Sequence, residues 1–154
     1  AKIRAAAAAR ASRDFQIIAR TDARSVNGLD DALRRAEAYL KAGADLLFVE
    51  APQNEIELRA VAERFAGVPL VANMVEDGKT PGMSAVQLGA MGYRLVLYPI
   101  SALLAVAKTL ESAYAALIEG HGLPDGTPRL KFAEYNARVG LPEFLARAEK
   151  LAKP

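Results

Sequence analysis

AYLKAGADLLFVEAPQNEIELRAVAERFAG, residues 38–67, decides the fold, because it holds the end of one helix, a strand and the next helix. The run between Asp45 and Glu50 is apolar and too short for a core helix, so it predicts a strand. Asn54 then caps an amphipathic helix that ends at Gly67. The segment is therefore one strand–helix unit of a parallel α/β protein.

Three further units flank this one. Their predicted strands are FQIIA (15–19), VPLVANMVE (68–76) and YRLVLYP (93–99), each followed by a helical pattern. All the strands are apolar on both faces, as parallel strands covered on both sides are. Four alternating units predict a parallel sheet with two open edges. The sheet is either an open doubly wound one or half of a (β/α)8 TIM barrel, which has eight strands and typically ~250 residues.

The two ends of the chain depart from this alternation. An Ala-rich helix that ends near Ser12 precedes the first strand, and two short helices, LKFAEYNARVG and LPEFLARAEKLAKP, follow a turn-rich linker. We expect a half-barrel over residues 1–120 and a helical extension over 121–154. Because the chain begins inside a helix without Met, we expect an upstream piece to be missing. The open edges predict pairing with an N-terminal half-barrel or with a second copy, as a homo-oligomer.

Composition excludes several classes of protein. Charged residues make up 25% of the chain with a net charge of +2, and the signs alternate, so we expect neither a nucleic-acid tract nor a membrane-surface patch. The absence of cysteine excludes disulfides and thiolate chemistry and fits a cytoplasmic location. We expect no membrane span, because no apolar run approaches ~20 residues.

Polar side chains stand where each predicted strand stops, and ligands of parallel α/β folds bind at that edge. The candidates are Arg20 with Asp22, Glu50, Asn73 with Glu76, and Ser101. An Arg fork is shaped to bind a carboxylate or phosphate, and an Asn amide can donate to a carboxylate or enolate oxygen. Glu50 could act as acid or base, hold a substrate hydroxyl, or hold Arg20.

Each candidate also has a plainer interpretation. Arg20 could merely pair with Asp22 or Glu50 to hold the rim together. His121, the only histidine, lies in a Gly/Pro turn and is expected to be exposed there. The run Asp77-Gly78-Lys79-Thr80 lacks the rest of a phosphate-binding P-loop, so we interpret it as a mobile loop at the edge of the site.

The strand ends resemble the isocitrate lyase/phosphoenolpyruvate mutase superfamily. The similar segments are IIARTDAR (17–24), GLDDALRRA (28–36), AYLKAGADLLFVEAP (38–52), PLVANMVEDGKTP (69–81) and MGYRLVLYPISAL (91–103). KFAEYNARVGLPEF (131–144) is similar to the tail of the branch with 2,3-dimethylmalate lyase and carboxyvinyl-carboxyphosphonate phosphorylmutase.

The resemblance implies the C-terminal half of a (β/α)8 barrel, with four parallel βα units and two terminal helices. It implies a Mg²⁺-dependent lyase that cleaves a C–C bond in a small 2-hydroxy diacid through an enolate-like intermediate. Arg20 falls on the family's carboxylate-binding Arg, Glu50 on its substrate-side Glu and Asn73 on its substrate-binding Asn. The Asp-rich metal motif and the catalytic Cys loop belong to the half that this chain lacks. We therefore assign no catalytic residue and no metal ligand here, and expect the chain alone to be inactive.

Two sequence positions and three alternative functions bear on this interpretation. Methylisocitrate lyases have Arg where this chain has Leu104, and another near Ala133, which favours a smaller diacid such as a substituted malate or oxaloacetate. The alternatives are a phosphonate-forming mutase or an oxaloacetate decarboxylase on the same scaffold, or a non-catalytic half-barrel module.

Overall fold

The computed structural model describes residues 1–152, which form two compact units, Ala1–Ala105 and the part from Val106 onward. The predicted second tail helix includes Lys153 and Pro154, which lie outside the described residues. The domain boundary predicted at residue 120 stays a prediction. The strands are β1 Ile18–Thr21, β2 Leu46–Val49, β3 Leu70–Asn73 and β4 Tyr93–Leu97. The helices are α1 Lys2–Ala9, α2 Arg24–Asn27, α3 Leu29–Lys41, α4 Glu55–Arg64, α5 Ala85–Met91, α6 Ser101–Ile118, α7 Phe132–Arg138 and α8 Leu141–Ala152.

The four strands form one parallel sheet in the order β1-β2-β3-β4. Each neighbour in sequence is therefore a neighbour in space, joined by a crossover helix as parallel pairing requires. Among the described residues no further strand pairs with β1 or β4, so both carry an open edge. The sheet contains one irregularity, where the β3–β4 register shifts between Leu70 and Val71.

One face of the sheet carries the hydrophobic core. Ala19, Leu47, Leu70 and Tyr93 lie opposite one another or in line across the strands, and all four are buried. They pack with buried residues of the crossover helices, namely Ala32, Ala36, Leu58, Val61, Ala62 and Leu88. The Tyr93 hydroxyl donates to the backbone oxygen of Leu58 over 3.2 Å, which ties β4 to α4. Burial raises the pKa of this hydroxyl.

The opposite face is more open. Ile18 and Arg20 alternate with Ala19 and so point away from the core cluster. The register shift between β3 and β4 pairs Leu95 of β4 with Val71, which places Leu95 on the same face as Ile18 and Arg20. Ile18 is 45% exposed and Leu95 is 39% exposed. Within the described residues nothing covers this face of the outer strands, and the expectation that the strands are covered on both faces stays a prediction. Because all three crossover helices pack on one face, the structure excludes the doubly wound alternative, which has helices on both.

Local signals explain most element boundaries. Ser84 accepts from the backbone N–H of Gln87 while Gln87 bonds back to Ser84, a capping box that starts α5. Asn54 caps α4 in the same way by accepting from the Glu57 N–H at 2.9 Å. The first strand begins at Ile18 and not at Phe15, because Ser12 to Phe15 form a turn.

The second unit is helical, and no large apolar side chain in its described part is buried. Helix α6 also crosses into it. By length and composition alone α6 could cross a membrane, with a mean hydropathy of 1.3 over 18 residues, so the expectation that no apolar run approaches a span is wrong on this measure. Lys108 and Glu111 nevertheless form an ion pair at 2.9 Å within it.

Candidate active site

Three predicted side chains meet at the carboxyl edge of the sheet. Arg20 is the third residue of β1, Glu50 directly follows β2, and Asn73 is the last residue of β3. The Asn73 Nδ2 donates to Glu50 Oε1 over 3.4 Å, and Arg20 Nη1 lies 3.5 Å from Glu50 Oε2. Because Glu50 contacts both neighbours, it is the centre of the group. The structure thus brings together the cation, carboxylate and amide that the strand ends predicted.

The Arg20 guanidinium has a second carboxylate partner. Its Nε lies 3.1 Å and 3.2 Å from the two Asp22 oxygens, and its Nη2 donates to Asp22 Oδ1 over 2.7 Å. The plainer interpretation, that Arg20 holds the rim, therefore has direct structural support. These bonds raise the pKa of Arg20, with a smaller contribution from the charge of Glu50, and they lower the pKa of Asp22.

The Arg20–Asp22 pair is open to solvent. The two side chains are 49% and 61% exposed, and exposed ion pairs contribute only about 0–1 kcal/mol. A ligand carboxylate could therefore replace Asp22 at little cost. The guanidinium carbon also lies 5.0 Å from the centre of the Phe48 ring, which supports the plane of the fork from one side.

Two buried acceptor atoms at the site lack hydrogen-bond partners. Glu50 Oε2 and Asn73 Oδ1 are both shielded from solvent, and neither accepts a hydrogen bond within the described residues, although Glu50 Oε2 keeps its 3.5 Å ion-pair contact with Arg20. Leaving such an atom unsatisfied typically costs about 1–3 kcal/mol, so native structures rarely do so without a reason. Both residues line a cleft of about 310 Å³, and a hydroxyl or amine from a ligand there would supply the missing donor.

The cleft also contains residues that the sequence did not single out as ligand-binding. Its other lining residues are Ser25, Ala51, Val75, Gly78, Lys79 and Thr80. A larger hollow of about 710 Å³ runs along α1 and the end of α3, but of the three predicted residues it touches only Arg20. The smaller cleft is the one that joins Glu50 and Asn73. Its loop residues follow the same strands as the predicted ones, and that position was the available signal.

The remaining candidates lie elsewhere on the rim or away from it. Glu76 accepts a hydrogen bond from the Ser101 hydroxyl, which lowers the pKa of Glu76, so these two residues bind each other. Neither lines the cleft of Glu50. His121 is exposed in the turn after α6, as expected.

The residues present do not form a magnesium site. Within residues 1–152 no group of three or more His, Cys, Asp or Glu side chains is arranged to hold a metal ion. A hard cation needs several oxygen ligands. The two carboxylates in contact with Arg20, those of Asp22 and Glu50, both face its guanidinium.

The fold and the rim together define a class of protein. Four parallel βα units with a cation, a carboxylate and an amide at the carboxyl edge form an open parallel α/β sheet of the kind that makes up half of a (β/α) barrel. The sequence model of the phosphoenolpyruvate phosphomutase family matches residues 1–118. The chain belongs to this family, within the phosphoenolpyruvate mutase/isocitrate lyase superfamily.

The relatives are enzymes of about twice this length. The chain is 40% identical over 143 residues to 2,3-dimethylmalate lyase of Eubacterium barkeri, covering 91% of this chain and 48% of the relative. A crystal structure of a 2,3-dimethylmalate lyase superposes with a TM-score of 0.81 at 33% identity over 98% of this chain and 54% of that one. The chain therefore spans about half the length of these relatives, and its sheet matches half of a superfamily barrel.

Two other similar proteins carry the names of different enzymes from 2,3-dimethylmalate lyase. The chain is 50% identical over 106 residues to 2-methylisocitrate lyase of Bacillus subtilis, covering 69% of this chain and 35% of that protein. A crystal structure of phosphonopyruvate hydrolase with oxalate and Mg²⁺ superposes with a TM-score of 0.80 at 28% identity over 99% of this chain and 54% of that one. The relatives thus include lyases and a hydrolase of small acids, so the family alone does not fix the reaction.

Proposed function

We propose that this chain is the C-terminal half of a Mg²⁺-dependent lyase that cleaves a C–C bond in a small 2-hydroxy diacid of the substituted-malate type. The observation that carries the proposal is the contact of Arg20, Glu50 and Asn73 beside two unsatisfied buried acceptors. A 2-hydroxy diacid offers what these groups lack, namely a hydroxyl donor and a carboxylate.

The roles follow from the chemistry of each side chain. Arg20 exchanges Asp22 for one substrate carboxylate and binds it through its fork. Glu50 Oε2 accepts the substrate hydroxyl, which orients the carbon that bears it. Asn73 Nδ2 donates to the oxygen on which charge develops as the C–C bond breaks and an enolate-like fragment leaves.

The other half of the barrel completes the enzyme. We place the Mg²⁺ ligands and the catalytic acid or base there, because residues 1–152 form no metal cluster. That half is an N-terminal half-barrel, because a second copy of this chain could cover the open edges but would bring no metal cluster of its own in these residues. We propose a homo-oligomer in the cytoplasm that contacts neither nucleic acid nor membrane. The chain without its partner half is inactive.

A smaller diacid suits the residues better than a tricarboxylate. Leu104, where the resemblance places an arginine in methylisocitrate lyases, is an exposed apolar side chain on α6. Ala133, the second such position, lies on α7 and also carries no charge. Without these two cations, the third carboxylate of methylisocitrate would lack its partners.

A second candidate function rests on the family match itself. The family model that matches this chain is named for phosphoenolpyruvate phosphomutase, and phosphonopyruvate hydrolase is one of the structural neighbours. A phosphonate-forming mutase, or an oxaloacetate decarboxylase, would use the same carboxylate grip. A non-catalytic half-barrel module is the remaining alternative, and it predicts no turnover at all.

A chimeric barrel tests the proposal. The N-terminal half of the Eubacterium barkeri 2,3-dimethylmalate lyase, joined to this chain, is assayed with 2,3-dimethylmalate, malate, oxaloacetate and phosphonopyruvate in the presence of Mg²⁺. We expect release of pyruvate from 2,3-dimethylmalate, and its loss in Glu50→Gln. A chimera that unfolds cooperatively but turns over only phosphonopyruvate or oxaloacetate supports the second candidate, and one that turns over nothing contradicts both.

A further inference from the structure

The loop after β3 forms hydrogen bonds with two other segments at the carboxyl edge of the sheet, the start of α6 and the segment after β1. Glu76 binds the hydroxyl of Ser101 at the start of α6, and Lys79 Nζ lies 3.5 Å from Ser25 Oγ in the segment after β1. Between them the backbone makes a tight turn, with Asp77 in the left-handed region at φ 56° and the Gly78 N–H donating to Val75 O over 3.1 Å. These contacts keep the Lys79 amine on the wall of the cleft.

Gly78 suits this turn. A Cβ at position 78 would stand 3.0 Å from the Val75 oxygen and 3.2 Å from the Val75 Cβ. Both contacts are tight, so a side chain at position 78 would push Val75 aside by a few tenths of an ångström, and glycine favours this turn. The turn carries the next residue, Lys79, back over the strand ends.

The charges around Arg20 do not favour a dianionic ligand by themselves. Arg20 faces Asp22 and Glu50, so one positive charge stands against two negative ones. A diacid would add two more negative charges, and like charges at close range repel. A second cation on the part of the site that this chain provides would offset that repulsion, in addition to the Mg²⁺ that the other half would hold.

Lys79 is the cation that lines the same cleft as Glu50 and Asn73. Its hydrogen bond is to the neutral hydroxyl of Ser25, and no carboxylate of residues 1–152 forms an ion pair with its amine. An amine bound only to a hydroxyl keeps its full charge for a ligand. Arg20, by contrast, must first release Asp22.

We infer that Lys79 binds the second carboxylate of the substrate and so makes the site select a diacid over a monoacid. The inference rests on the proposed function, and it adds that the carboxylate grip has two arms, Arg20 on β1 and Lys79 on the loop after β3. The hydroxyl between the two carboxylates then faces the unsatisfied acceptors, Glu50 Oε2 and Asn73 Oδ1.

Nuclear magnetic resonance titration of this chain with succinate and with acetate tests the inference. The variants are Lys79→Met and Lys79→Arg, with Lys150→Met as a control, because Lys150 is an exposed lysine on α8 outside the cleft. We expect Lys79→Met to weaken succinate binding about tenfold or more, the loss of one charged hydrogen bond, and to leave acetate binding unchanged. Lys79→Arg keeps the charge and should stay within a few-fold of the original affinity.

The outcomes separate this inference from the function beneath it. If Arg20→Lys weakens succinate binding and Lys79→Met does not, Lys79 is not the second arm, although the proposed function stands. If neither variant changes the affinity, both are wrong. An original chain whose Lys79 resonances do not respond to excess succinate overturns the inference as well, and circular dichroism of each variant shows that its fold is intact.

Discussion

Replacing Arg20 with lysine separates substrate binding from rim stability. The guanidinium makes bonds from Nε and Nη2 to Asp22 while its Nη1 lies 3.5 Å from Glu50. A lysine keeps the charge, but it offers a point contact in place of the fork. If Arg20 binds a substrate carboxylate, the change removes at least one charged hydrogen bond in the complex.

The two interpretations of Arg20 differ in where that loss is measured. A charged hydrogen bond is worth roughly 1.5–3 kcal/mol, so kcat/KM should fall about tenfold to a hundredfold or more. The pair with Asp22 is exposed on both sides and contributes about 0–1 kcal/mol, so the melting temperature should barely move. If Arg20 only holds the rim, kcat/KM should stay unchanged, and the loss of stability should be no larger than that same value of about 0–1 kcal/mol.

The assay uses the chimeric barrel with a C4 to C6 2-hydroxy diacid, and it needs two controls. Arg59→Lys changes an arginine of similar exposure that pairs with Glu55 on α4, away from the site, and should alter neither quantity. Asp22→Asn removes the competitor of the substrate carboxylate, so kcat/KM should be kept or raised. Full turnover in a destabilised Arg20→Lys variant would refute the carboxylate grip.

Three further results are expected. Both carboxylate oxygens of Glu57 accept hydrogen bonds from Arg24 at 2.7 Å, which lowers the pKa of Glu57, so Glu57→Gln should lower the free energy of unfolding by about 1–2 kcal/mol at neutral pH. Urea unfolding should show this difference from the original chain shrinking as the pH falls below the ordinary glutamate pKa of 4.5. Glu63→Gln on the same helix is the control, and a difference independent of pH would argue against the ion pair. Calorimetry should find only weak Mg²⁺ binding by the chain alone, because residues 1–152 form no metal cluster, and tight stoichiometric binding would contradict this. Sedimentation should find self-association, or pairing with an added N-terminal half, because β1 and β4 expose open edges, whereas a stable monomer at micromolar concentration would count against it.

The strand ends were predictable because they depend on local patterns. Glu50 and Asn73 follow short apolar runs, and parallel strands place their carboxyl ends on one edge, so the meeting of these residues needed only the strand order. Ser84 and Asn54 were recognisable as caps for the same local reason.

The parts that the sequence did not predict depend on contacts between distant segments. The pairing of Glu76 with Ser101 and the approach of Lys79 to Ser25 join residues that are 25 and 54 positions apart. The open face of β1 was not predictable either, because Ile18 is apolar whether or not a partner half covers it. An apolar side chain such as Ile18 indicates that its face of the strand can pack against another apolar surface. It does not indicate which chain provides that surface.

A crystal structure of the chimeric barrel with oxalate and Mg²⁺ would test the carboxylate-binding rim most directly. We expect an oxalate oxygen within hydrogen-bond distance of the Arg20 guanidinium, with Asp22 displaced and Glu50 still beside Asn73. Oxalate bound elsewhere in the barrel, with the Arg20 fork still closed on Asp22, would contradict the assignment of this edge of the sheet as the substrate site.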